Sequence, residues 1–217
     1  MMTLIEADVT WQMAFLDMAA EFVASGDARY QVALTDFAAY LQGLQQIARG
    51  ENLPPDRVRQ TTYWGVEGDM IVGTVRLRHT LTPALEELGG HIGYDVRPSQ
   101  RRQGYGTVLL AGALERARQC GLTGVLITCD TDNIASARVI EKNGGQLINQ
   151  TMVEGYAKLI SRYWIDLHLA TVPSNEAQPR RSLYGALAHL EPAPSAEEID
   201  QARTEAWANF PRDDVKE

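Results

Sequence analysis

Arginine and glycine crowd together just ahead of an apolar helical run in "VRPSQRRQGYGTVLL", Val96 to Leu110, within a chain whose formal net charge is -8. The first N–H groups of a helix have no internal partner, and the helix dipole makes that end attractive to anions. Gly104 and Gly106 carry no Cβ to keep an anion from the backbone. Arg101 and Arg102 add positive charge. A pyrophosphate suits such a cradle. The spacing, R-x-x-G-x-G, is neither the G-x-G-x-x-G of dinucleotide folds nor a P-loop ending in G-K-[ST].

Acid–base chemistry has fewer candidates. His91 lies on the apolar segment ahead of the arginines, and histidine titrates near neutrality. It is either a base or a histidine held by hydrogen bonds inside a strand. Asp95 has the same strand parity, so the two are expected to face the acceptor together. A negative site there would attract a cationic acceptor, an amine or a peptide N-terminus. His79, Glu86 and Glu87 are weaker candidates, with surface placement the simpler expectation. Cys129 is read as a buried free thiol. Cys120 and Cys129 form no metal or disulfide pattern, which fits a reducing cytoplasm.

Positioning these groups requires an α/β fold. Trp11, Phe15, Met18, Phe22 and Val23 repeat at helical spacing, as do Phe37, Tyr40, Leu41, Leu44 and Ile47, which end at Gly50. The paired prolines of "ENLPPDR" stop a helix. "TTYWGVEGDMIVGTVRLRHT" predicts a hairpin turning at Glu67-Gly68-Asp69, its aromatics mostly core. A strand over Gly90–Val96, a helix over Thr107–Gln119 closed by Gly121, and the apolar strand "GVLITCD" form a β-α-β unit with parallel strands. Asp132 or Asn133 caps a helix through Lys142. "GQLINQTMV" and "KLISRYWIDL" predict two closing strands.

With 217 residues, 45% hydrophobic and 22% charged, the chain suits one sizeable core plus an appendage. A sequence pI near 5.1 argues against general nucleic-acid binding. No stretch is long and apolar enough to span a membrane, and no signal peptide is expected.

The motifs together resemble the GNAT superfamily of acyl-CoA-dependent N-acyltransferases. Its Q/R-x-x-G-x-G/A motif follows a strand ending V-x-P, here Val96-Arg97-Pro98. Its second signature, N-x-x-[AS]-x-x-x-x-E-K-x-G, appears as "NIASARVIEKNG", Asn133 to Gly144. "TTYW", "GGHIGY", "LITCD" and "VIEKNGG" are similar to a little-characterised predicted-acetyltransferase subgroup. The resemblance spans roughly residues 1–168. It implies a mixed central sheet with a splayed parallel strand pair, flanked by helices, and acetyl-CoA between those strands. Val96, Arg101, Arg102, Gln103, Gly104, Tyr105, Gly106 and Thr107 would hold the cofactor, with Asn133 on the pantetheine arm. No metal is implied. The amine would attack directly, its proton passing to a base, while the oxyanion is stabilised and the thiolate gains a proton. Many members carry a glutamate seven residues before the V-x-P proline; here it is His91. Many place an acidic tyrosine seven residues after the asparagine; here it is Ile140. Tyr156, Tyr163 or a water would have to substitute. The usual aromatic after the final glycine is replaced by Gly145.

Beyond this region, residues 169–181 are polar and proline-containing, a linker. Residues 182–217 form an acidic tail with one expected helix, Ser195 and Glu198 marking its start. This tail resembles the C-terminal segments of small AbrB-type antitoxins. Trp207 and Phe210 are expected to dock on the domain, on a twin subunit in a homodimer, or on a protein partner. Two other readings stand beside N-acetyl transfer: a non-catalytic acyl-CoA-binding module, and an antitoxin-like protein acting through its tail.

Overall fold

A computed structural model describes residues 1–54 and 56–168. The linker, the acidic tail, its antitoxin resemblance and the docking of Trp207 and Phe210 lie outside the described residues.

The chain opens with β1 (Thr3–Glu6), α1 (Gln12–Ala24), α2 (Gln31–Thr35) and α3 (Phe37–Arg49). Asp36 caps α3 by accepting the Ala39 N–H. The hairpin β2 (Gln60–Glu67) and β3 (Met70–Arg78) follows, turning where expected. Thr82 caps the one-turn helix α4 (Pro83–Glu87), with proline at its start. Then come β4 (Ile92–Val96), α5 (Tyr105–Gln119), β5 (Gly124–Asp130), α6 (Ile134–Lys142), β6 (Gln146–Met152) and β7 (Leu159–Asp166). Three short elements escape sequence periodicity: β1, α2 and α4. The helix α5 begins two residues earlier than expected, on Tyr105, directly after Gly104.

The strands form two sheets, one in the order β1-β2-β3-β4 and the other β5-β7-β6, all neighbours antiparallel. Between them β4 and β5 run parallel but share no ladder: they are a splayed pair. Alternation sends Tyr63 and Trp64 of β2 to opposite faces, and both are buried. One face carries an aromatic core. Trp64 stacks on Phe15 at 4.6 Å between centroids, and Phe37 and Tyr30 also pack on Phe15. On the other face, Leu109, Leu110, Ala113 and Ala117 of α5 are fully buried against Val75, Leu77, Ile92, Val125 and Ile127. Each buried leucine contributes about 2 kcal/mol. This second core spans both sheets, so α5 is the wedge that holds the splay open.

Candidate active site

The turn between β4 and α5 presents bare backbone. Gly104 has φ +89°, and an ideal Cβ built there meets nothing within 4 Å. The preceding Arg102 also adopts a left-handed conformation, φ 64°, unusual for a residue with a side chain. Backbone held in this way orients successive N–H groups toward one point and makes an anion-binding concavity. Gly106 serves differently. A Cβ there would lie 3.3 Å from Val139 Cγ2 and 3.6 Å from Val96 Cγ2, so this glycine lets α5 pack closely on α6 and β4.

The three arginines of the turn divide in role. Arg97 is buried and bonded to Glu21 through Nε at 2.7 Å and to Asp17 through Nη2 at 2.6 Å. The N–H of Ser99 also reaches Glu21, at 3.1 Å. Arg97 therefore ties α1 to the end of β4 and adds nothing to the anion site. Arg101 donates to the Val96 carbonyl at 3.3 Å and lies over the Phe22 ring. Neither Arg101 nor Arg102 is in an ion pair among the described residues.

A cavity of about 740 Å³ opens on this turn. Val96, Arg101, Arg102, Gly104, Tyr105, Gly106, Thr107 and Asn133 all line it. Gln103 does not; it donates from Nε2 to the Ser99 carbonyl at 3.2 Å. Five lining cations come from the two arginines Arg101 and Arg102 of the turn, from Arg138 and Lys142 of α6, and from Arg29 in the segment after α1. Ala135, Arg138, Val139 and Lys142 recur at the spacing of one helix face, a signal legible once Asn133 is known to be the cap. Asn133 Oδ1 accepts the Ser136 N–H at 3.0 Å, which leaves its amide NH2 available to a ligand.

At the closed end of the splay, one residue joins the two sheets. The His91 N–H donates to the Leu126 carbonyl at 2.7 Å, and the Leu126 N–H donates to His91 Nδ1 at 2.9 Å. The imidazole stands in for a missing ladder bond. An Nδ1 that accepts is unprotonated, so the neutral ring carries its proton on Nε2 and has no lone pair left to take one. Burial holds its pKa below the ordinary histidine value, and Arg78 pushes the same way against Glu86. His91 does not line the cavity. This geometry is that of a histidine held by hydrogen bonds inside a strand, the alternative to a base.

Beyond His91 the strand edges part. The Arg78 N–H bonds the His91 carbonyl, and the Arg97 N–H bonds the Val72 carbonyl. The odd-numbered residues of β4 therefore bond β3, and Ile92, Tyr94 and Val96 aim their backbone groups toward β5. Asp95 projects from the opposite face to Tyr94. It receives Arg29 Nη1 on one oxygen and Arg76 Nη1 on the other at 2.6 Å, with the Tyr30 hydroxyl at 3.2 Å. Asp95 is thus neutralised by two guanidiniums. The negative acceptor site expected from His91 and Asp95 is not there.

Against known proteins, the family model described as "Acetyltransferase (GNAT) domain" matches residues 19–146. This chain belongs to the GNAT acetyltransferase family. Its chemistry is acetyl transfer, with acetyl-CoA as co-substrate. Solved structures share the fold. RimJ of Mycobacterium smegmatis, in complex with CoA-disulfide, is 19% identical with TM-score 0.60, the match covering 78% of this chain and 84% of that one. RimL, a ribosomal L7/L12 α-N-protein acetyltransferase in complex with coenzyme A, is 18% identical with TM-score 0.57, covering 76% and 93%. YncA of Salmonella typhimurium, with its cofactor acetyl-CoA, is 17% identical with TM-score 0.53, covering 79% and 97%. No curated protein matches the sequence.

In this GNAT domain the residues suit the co-substrate. An unhindered Cβ position at Gly104, arginines without ion-pair partners among the described residues and a cavity lined by both fit a phosphate-bearing ligand. The family's usual tyrosine position holds Ile140, which is fully buried in the core. Neither expected substitute faces the cavity: Tyr163 is buried in the core, and the Tyr156 hydroxyl donates to Asp130 at 2.7 Å. Two tyrosines line the cavity: the Tyr105 hydroxyl donates to Glu67, and the Tyr94 hydroxyl lies 2.9 Å from Ser136 Oγ. Burial pushes the Tyr94 pKa up to about 12, so it is protonated at neutral pH. Cys129 is buried and its thiol pKa is raised by burial, the opposite of an activated nucleophile. No group of residues arranged to hold a metal occurs among the described residues. Nor is any helix among them long and apolar enough to cross a membrane.

Proposed function

We propose that this chain acetylates an amine that attacks acetyl-CoA directly, with no acyl-enzyme. One observation carries the reading: where β4 parts from β5, residues Tyr94 to Val96 of β4 line a cavity that ends on the bare amides and cations at the start of α5. Bound there, acetyl-CoA would supply the thioester. Arg101, Arg102 and the backbone from Gly104 to Thr107 would hold its phosphates, and the Asn133 amide and the β4 edge its arm. The inward-facing N–H groups of β4 are donors for charge that develops on the carbonyl oxygen.

Tyr94 keeps its proton at neutral pH and is assigned the donation to the departing thiolate. His91 fixes the vertex where the two edges meet and so positions the β4 edge. A reducing cytoplasm suits the two free cysteines.

Thiol release from acetyl-CoA across a panel of amines tests the reading. Amine-dependent release is the expected result. Tight binding with no release for any amine would favour a non-catalytic acyl-CoA-binding module.

A further inference from the structure

On the face of the sheets opposite α5, two arginines are in no ion pair among the described residues. Arg76 is shared with Asp95, as described, but Arg78, next on the same face of β3, is not paired. Its Nη1 donates to the Gly89 and Gly90 carbonyls at 3.1 and 2.8 Å, and no carboxylate contacts it among the described residues. Burial and the neighbouring Arg76 lower its pKa. On the second sheet, Arg162 of β7 pairs with Thr128 across the ladder, which puts both side chains on one face. That face is turned away from α5, because the alternating residues Ile127 and Cys129 enter the core with it. The Nε of Arg162 is buried without a hydrogen-bond partner, and the residue is in no ion pair among the described residues.

The two arginines flank one connection. Thr128 Oγ1 accepts the Gly89 N–H at 2.9 Å, and the carbonyl of that same glycine holds Arg78. The connection stands beside the His91–Leu126 vertex, where β4 and β5 begin to part. Arg78 also borders a second cavity of about 260 Å³, to which Arg57 adds a cation and Asp56 the one carboxylate. A half-buried guanidinium without a counter-charge is costly, and an unmet buried Nε–H adds to that cost. In a chain of net charge -8, such a face is built for an anion.

We infer that the acceptor is an amine bearing a carboxylate, which Arg78 and Arg162 receive beside the splay vertex while the amine points between the strands. The inference rests on the acetyl-transfer reading above. It reverses the sign of acceptor expected from the sequence. A guanidinium binds a carboxylate through paired N–H···O bonds, so these residues would orient the acceptor as well as attract it.

The test compares thiol release by the full chain with L-glutamate, glycyl-L-glutamate, their amidated forms and spermidine. The carboxylate-bearing amines should have kcat/KM at least about tenfold above their amides and above spermidine, with free amino acid against dipeptide distinguishing the two sources. Arg162→Met should raise KM for the favoured amine at least about tenfold, leave acetyl-CoA affinity unchanged, and be partly rescued by Arg162→Lys. Equal or better turnover of spermidine and the amides, or an unchanged KM in Arg162→Met, would overturn the inference while acetyl transfer stands. Failure to bind acetyl-CoA at all would instead remove the functional reading beneath it. If no amine is turned over, calorimetric titration of the coenzyme A complex with L-glutamate and with spermidine reads the same preference, and absence of glutamate binding also overturns it.

Discussion

His91 and Leu126 exchange two hydrogen bonds, one between backbones at 2.7 Å and one from the Leu126 N–H to the imidazole Nδ1 at 2.9 Å. They form the hinge point of the splay, and their separation in sequence hides this bond from any reading of spacing. His91→Ala should destabilise the fold by about 1–3 kcal/mol, because it strands a buried N–H. His91→Asn, whose carbonyl oxygen can accept the same N–H, should recover much of that loss. Denaturant unfolding of the three proteins checks this.

The same bond has a pH signature. The folded-state pKa of His91 is depressed by burial below the usual value of about 6.5. Its contribution is therefore complete above the unfolded pKa and is lost as pH falls from there toward the folded pKa, where unfolded chains bind a proton that folded chains refuse. His79, also depressed by burial, adds a loss in the same window. Tm should fall over this window in the wild type, and less steeply in His91→Asn.

Gly90 makes the hinge possible. Its φ is +61°, and a Cβ would run into the Leu126 carbonyl. Gly90→Ala should cost at least about 2 kcal/mol from the strained backbone and the clash together. A Tm within error of the wild type would show that the vertex can open without penalty.

Much of this architecture is legible in the sequence because its elements are long and punctuated. The β2–β3 hairpin has its turn glycine, α5 and α6 have repeated apolar residues, and Asn133, one of the two expected candidates, caps α6. A four-residue β1 and five-residue α2 and α4 contain too few repeats to show a period. The phosphate cradle is local, so R-x-x-G-x-G exposes it. The other half of the site is assembled from afar. Arg29 meets Asp95 across 66 residues and Leu126 meets His91 across 35, which no spacing rule encodes. The compensation of Asp95 by Arg29 and Arg76 is equally hidden from spacing.

Tyr94 should matter for turnover and little for binding. Tyr94→Phe removes the hydroxyl beside Ser136 and leaves the ring between β4 and α6. If it protonates the leaving thiolate, kcat should fall by about 10²–10⁴-fold with acetyl-CoA affinity within about threefold of wild type. Single-turnover thiol release separates the two effects. An unchanged rate would return the proton to solvent.

Arg102 holds a left-handed backbone at φ 64° at the edge of the cradle. Arg102→Gly relaxes that conformation and removes a cation. Stability should change by no more than about 1 kcal/mol, since relief of strain and added chain entropy oppose each other. Acetyl-CoA binding should weaken and become less salt-dependent. Unaltered salt dependence would remove Arg102 from the phosphate site.

The central claim is that the amides opening α5 hold the phosphates of acetyl-CoA, and Gly104 tests it most directly. Its missing Cβ points into open space, so a valine side chain would take the place of a phosphate, and at φ +89° it would also strain the backbone of the cradle. Calorimetric titration of the full chain with acetyl-CoA should give one site per chain in the wild type. Affinity should fall at least about tenfold in Gly104→Val, a loss of about 1.4 kcal/mol, while the circular dichroism spectrum is retained. Equal affinity in the folded variant, or no binding by the wild type, would contradict the account.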